Sequence, residues 1–159
     1  MKLLSVVSIA AVLLVVVVSA PAQSGTSAPI YLYSAPGAIF GPEQAEFNKA
    51  MKEVLFPWNE HSALNDQSAL QANVQWLKDH PNVRFYVNGY ASSRGELIYN
   101  LVLSQKRADY IKETMIAMGL PESRIVMAVG WGQLYPVCPE LNDECWSKNR
   151  RVRLEYVPN

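Results

Sequence analysis

The sequence predicts an α/β fold, on three observations. Short runs rich in β-branched and aromatic residues (54–56, 83–88, 125–129 and 150–157) alternate with longer segments of helical period. Glycine falls between these segments, and proline between them or at their ends. The chain has 159 residues, enough for one domain with a substantial core and too few for two.

Met1-Lys2 is followed by an apolar run from Leu3 to Val18 and then by Ser19-Ala20-Pro21-Ala22-Gln23. A basic start, an apolar middle and Ala-x-Ala are the pattern of a secretory signal peptide, residues 1–22. The cut is placed after Ala22, because cutting after Ala20 leaves Pro21 just downstream. The alternative is an uncleaved anchor, but the apolar run falls short of the ~20 residues that span a bilayer. No cysteine stands near the cut, so no lipid anchor is evident, and there is no alternating pattern for an N-terminal barrel. Residues 23–41 hold Gly25, Pro29, Pro36, Gly37 and several serines and are read as a linker. Within them Ile30-Tyr31-Leu32-Tyr33 fits either a short edge strand or a segment packed on the domain.

The domain itself occupies 42–159. Pro42, Glu43 and Glu46 mark a helix start, and Phe47, Ala50, Met51 and Val54 recur at helical spacing, so a helix is expected over about 42–53. Residues 54–56 form the first strand, which Pro57 ends or confines to an edge. Asn65-Asp66 caps a second helix whose buried stripe is Leu70, Val74 and Leu77. Pro81 stops it and leaves His80 in a loop. After the strand 83–88, the turn Ser92-Ser93-Arg94-Gly95 opens a long helix, and its free N–H groups can hold an anion. On that helix Leu97, Leu101, Ala108, Ile111 and Met115 share one face, with Asn100, Ser104 and Arg107 along its border, where a cleft beside the core is expected. Gly119 is a left-handed cap candidate. Gly130 and Gly132 follow the third strand and mark a close backbone approach. Residues 150–157 form the last strand, with Arg151 and Arg153 read as surface residues.

Formal net charge is zero, and the one basic cluster (148–153) lacks interleaved aromatics, which argues against nucleic acid as a partner. Cys138 and Cys145 are the only cysteines of an exported chain and are read as a disulfide. The two histidines lie far from them in sequence, so no metal set forms, and no cofactor motif is present. Ser92, Ser93 and Ser104 have no histidine nearby and Gly-x-Ser-x-Gly is absent, so cell-wall hydrolysis, the enzymatic rival, finds no nucleophile and base. The chain is read as a non-enzyme.

Gly89-Tyr90-Ala91-Ser92-x-x-Gly95, then Tyr99-Asn100-x-x-Leu103-Ser104-x-x-Arg107-Ala108, resembles the signature of the OmpA-like peptidoglycan-binding domain. Gly119, Arg124-Ile125, Gly130-x-Gly132, Pro136 and Asn149-Arg150-Arg151-Val152 follow in that family's order. The resemblance spans roughly 54–157. It implies an α/β sandwich, a βαβαβ-type mixed sheet with helices packed on one face. It also implies non-covalent binding of peptidoglycan in the periplasm, in association with the outer membrane or the cell wall. The family grips the amino and carboxyl groups of a diaminopimelate residue in the peptide stem. Arg107 matches the carboxylate-gripping arginine, and Arg150 and Asn149 match the Asn-Arg-Arg element. Asn100 and Ser104 are read as supports of the loop. Ser92 stands where the family has an acid, and Trp58-Asn59 replaces an aromatic–acidic pair. A neutral hydrogen bond in place of a charged one costs about 1–2 kcal/mol of affinity. The alternative function is therefore the same fold serving as an envelope interaction or scaffold module with a degenerate wall site. If Leu101 is fully buried, Leu101→Ala is expected to cost ~2–5 kcal/mol.

Overall fold

The computed structural model describes residues 41–158; the expected signal peptide and all of the expected linker but Gly41 lie outside the described residues. The first helix, α1 (Pro42–Ala50), begins at proline with Glu43 in its first turn, as read from sequence, and buries Phe47. It stops short of residue 53, because Met51 is already extended. The cause is Asn73, whose side-chain amide donates to Lys52 O and accepts from Lys52 N, both at 2.8 Å. That side chain does for Lys52 what a neighbouring strand would do, and the helix cannot continue through it.

Strand β1 (Val54–Leu55) is short, and Phe56 N–H donates to Arg150 O just beyond it. Helix α2 (Ser68–Asp79) starts later than the Asn65-Asp66 pair suggested. Asp66 still serves its first turn, accepting from Ser68 N–H at 2.8 Å and from Ser68 Oγ at 2.6 Å. Leu70, Val74 and Leu77 are buried as expected, together with Asn73. His80 ends the helix with its ring stacked on Trp76, centroids 3.7 Å apart.

Strand β2 (Arg84–Gly89), helix α3 (Leu97–Ala117) and strand β3 (Ile125–Gly130) make the central unit. Gly119 takes φ +97°, and the N–H groups of Gly119 and Leu120 close the end of α3 on Ile116 O and Met115 O. Helix α4 (Asp143–Asn149) is capped by Asn142, whose side chain accepts from Cys145 N–H, and leads into β4 (Arg151–Val157). Cys138 and Cys145 are joined by a disulfide across the loop before α4.

The four strands lie in the order β1-β4-β2-β3, with β2 and β3 parallel and β4 antiparallel to both β1 and β2. Alternate residues Phe85, Val87, Val152, Leu154 and Tyr156 join Phe47, Leu70, Val74, Leu77, Ala108, Ile111 and Met115 in one core. The expected mixed sheet with packed helices is therefore the fold found.

Helix α3 departs from the expected face in its first half. Leu97 is 46 % exposed and Leu101 only half-buried, whereas Asn100, Leu103, Ser104 and Arg107 are buried. Two glycines explain this. A Cβ on Gly89 would stand 2.1 Å from Ser104 O, and one on Gly130 would stand 2.2 Å from Gln105 N. Here the helix backbone presses on the sheet backbone, leaving no room for leucine between them, and polar side chains served by the adjoining loops fill the edge of the contact.

Arg151 also departs from its reading as a surface residue, while Arg153 is exposed. Arg151 is 3 % exposed, pairs with Glu53 at 3.2 Å, donates from Nη2 to Tyr135 O and lies 4.0 Å above the Tyr90 ring. Its stem lies across the sheet face opposite the core, where Tyr90 and the 131–137 loop cover it; a charged residue in a strand gives no sign of such a cover.

Candidate ligand-binding site

Beyond β2 the chain leaves the sheet at Tyr90, whose N–H donates to Arg151 O, and Ala91 N–H donates to Gly132 O at 2.7 Å. These two bonds fix the start of the turn 92–95. Gly95, at φ +99°, reverses the chain in a conformation that side-chain-bearing residues rarely adopt. Asn100, one turn into α3, reaches back over it: its Nδ2 contacts Ser92 O at 3.1 Å, Arg94 O at 3.2 Å and Gln133 Oε1 at 3.0 Å. Ser104 Oγ accepts from Gly132 N–H at 2.7 Å and donates to Leu101 O. Both side chains thus hydrogen-bond the loops that adjoin the start of α3.

A cavity of about 200 Å³ opens between this turn, the 57–60 segment and the start of β4. Ser92, Asn100, Arg107 and Arg150 line it together with Trp58, Asn59, Arg94 and Tyr99. The expected site residues thus converge, except Ser104 and Asn149. Asn149 holds the cysteine loop instead, accepting from Val137 N–H and Cys138 N–H and donating to Cys138 O at 2.7 Å. Its effect on the cavity is indirect, because the next residue is Arg150.

Arg107 is fully buried rather than at a border. Its Nε donates to Glu60 O at 2.8 Å, Nη1 to Tyr90 O at 3.0 Å and Nη2 to Pro57 O at 3.2 Å, with the Phe56 ring 5.1 Å from Cζ. Carbonyl oxygens take three of the five N–H groups that a guanidinium carries, and no carboxylate among the described residues pairs with it. Burial, and then repulsion from Arg150, lower its pKa to about 10. That shift corresponds to roughly 3 kcal/mol against the charged form, a penalty that an incoming anion relieves. Arg150 donates from Nε to Phe56 O at 3.1 Å, and burial lowers its pKa too.

The mouth was less legible. Arg94 lies between two indoles, Cζ 5.5 Å from the Trp58 ring centroid and 5.3 Å from that of Trp146. Trp146 Nε1 donates to Ser93 Oγ, and Tyr99 Oη to Asn59 Oδ1. Arg94 and Tyr99 both sit inside the motif that located the site, so their nearness was the available signal. Trp146 comes from a distant part of the chain and gave none.

The cysteine loop is the other place where ligating atoms gather: one carboxylate oxygen of Glu140 lies 3.4 Å from Cys138 Sγ and 2.9 Å from Cys145 Sγ. Both sulfurs are bonded to each other, so neither is a thiolate free to take a metal.

A sequence model of the OmpA family matches residues 61–150, from just past the 57–60 segment to Arg150 itself. The chain belongs to the OmpA family. The peptidoglycan-associated lipoprotein of Agrobacterium fabrum is 38 % identical over 86 residues, 54 % of this chain and 48 % of that protein. That of Rhizobium meliloti is 34 % identical over 118 residues, 73 % of this chain and 66 % of its own length. This OmpA-family chain spans about half the length of several of the curated relatives it matches. Among solved structures, the peptidoglycan-associated lipoprotein of Burkholderia pseudomallei aligns with TM-score 0.60 and 33 % identity, over 67 % of this chain and 90 % of that one. The C-terminal domain of Helicobacter pylori MotB aligns with TM-score 0.58 at 18 % identity, over 68 % and 85 % of the two chains, a likeness of fold alone.

Proposed function

We propose that this domain is a binding module of the bacterial envelope, not an enzyme, that holds peptidoglycan non-covalently through a diaminopimelate-containing peptide stem. Arg107 supports the reading most: a buried guanidinium with no carboxylate partner among the described residues, placed on a cavity beside a second arginine. Its two remaining N–H donors match the two oxygens of a carboxylate, and Arg150 adds charge at the same wall. The names of the relatives, peptidoglycan-associated lipoproteins, agree with this ligand and with a place in the periplasm against the wall and outer membrane. Other envelope proteins are further candidate partners.

Retention on purified diaminopimelate-type sacculi tests the proposal. Wild-type protein is expected to pellet with sacculi, and Arg107→Ala, checked for folding by its thermal melt, to remain in solution. Equal pelleting of the two would remove Arg107 from the site. No pelleting of wild type would favour the scaffold role, for which neutral Ser92 and Asn59 are the motivating residues.

A further inference from the structure

The cavity contains three arginines, Arg94, Arg107 and Arg150, and no acidic residue among the described residues lines it. The acids whose fields reach these cations lie outside it: Asp143, 92 % exposed, sits 3.9 Å from Arg94, and Glu60, which gives Arg107 its backbone oxygen, acts on it weakly through its carboxylate. Ser92 is 4 % exposed, and its hydroxyl has no hydrogen-bond partner among the described residues. The side-chain groups able to accept a hydrogen bond here, the Ser92 and Tyr99 hydroxyls and the amide oxygens of Asn59 and Asn100, are all neutral.

A free amino-acid end brings two charges into such a cavity. Its carboxylate meets guanidinium groups, but its ammonium meets the same like charges with only neutral oxygens for compensation. An acylated amine is uncharged and needs one acceptor for one N–H, which the Ser92 hydroxyl can provide. Cross-linking of stem peptides performs this change: an amide forms on the amine while the neighbouring carboxylate stays free. Resting on the peptidoglycan reading above, we propose that this pocket reads the diaminopimelate carboxylate but not the charge of its amine, and so accepts cross-linked stems at least as well as free ones.

Calorimetry with two soluble probes tests this. One is the tripeptide L-Ala-γ-D-Glu-meso-diaminopimelate; the other is the same peptide acetylated on the diaminopimelate side-chain amine. Wild-type protein is expected to bind the acetylated probe as tightly as the free one or more tightly, within a factor of about three. Ser92→Asp is expected to move that ratio at least about tenfold toward the free amine. The wild-type comparison stands even if the variant fails to fold. A wild-type preference for the free amine of tenfold or more overturns the inference while leaving wall binding intact. Retention on sacculi with neither probe bound also overturns it. Loss of both sacculus retention and probe binding defeats the peptidoglycan reading along with it.

Discussion

Two buried arginines flank β2, one at each end, and they look alike until their surroundings are compared. Arg124 donates from Nε to Val83 O, from Nη1 to Leu77 O and from Nη2 to His80 O, all within 2.7–2.8 Å. Arg107 makes the same three-carbonyl pattern with Glu60, Tyr90 and Pro57 at 2.8–3.2 Å. Burial alone lowers the pKa of Arg124, whereas Arg107 also feels Arg150 and lines a cavity. A guanidinium clasping carbonyls is therefore a stitch between loops, and nothing in that pattern announces a ligand. The second cation and the open space beside it make the difference.

The largest effect should separate the two on stability. Arg124→Ala leaves three carbonyls without their donor and is expected to cost about 3–5 kcal/mol, lowering Tm by roughly 10–20 °C. Sacculus retention measured well below the melt should stay at the wild-type level. A loss of stability under about 1 kcal/mol in urea titrations would show that the stitch is dispensable.

The contrast sharpens with pH. Because the folded protein lowers the Arg107 pKa to about 10, the native state releases this proton before the unfolded chain does. The native penalty for the charge is thus present at neutral pH and fades as pH rises through 10 toward the ordinary arginine range. Carboxylate binding needs the charged form, so it runs the other way. Affinity for a fully N-acetylated tripeptide should be flat from pH 7 to 9 and fall about tenfold per unit above roughly 10. Burial is the main cause of that midpoint, and the fields of Arg150, Tyr99 and Glu60 adjust it. Constant affinity to pH 11 would detach Arg107 from the ligand.

The smallest effect concerns the first half of α3, beside the cavity. Leu101 is half-buried and packs on Gly132, so Leu101→Ala should cost about 1 kcal/mol, less than the ~2–5 kcal/mol of a fully buried leucine. A loss above that lower range would mean the helix face was read correctly from the sequence and that the side chain is enclosed.

What could be read in advance follows a physical line. Strands, the cap at Gly119 and the close approach at Gly130 depend on local backbone preferences, which residue types report directly. The ordered motif brought Ser92, Asn100, Arg107 and Arg150 to one cavity for the same reason: their spacing on a turn, a helix and a strand start fixes their relation. Depth was not legible. Arg107 and Arg151 are buried by carbonyls and rings from segments far along the chain, and a carbonyl is the same in every residue. Asn73 hid in the same way, its partner being the backbone of Lys52. The stripe on α3 was misjudged because hydrophobic periodicity assumes a side-chain interface, and that half of the helix meets the sheet backbone to backbone.

That bare contact at Gly89 and Gly130 has a mechanical consequence. If Arg107 holds a carboxylate as proposed, a tug on it passes into α3, whose backbone there rests directly on that of β2 and β3. From there the load has a direct path to β2 and to its hydrogen bonds with β3 and β4. A protein that must stay attached while its surroundings shift is served by such a stiff coupling.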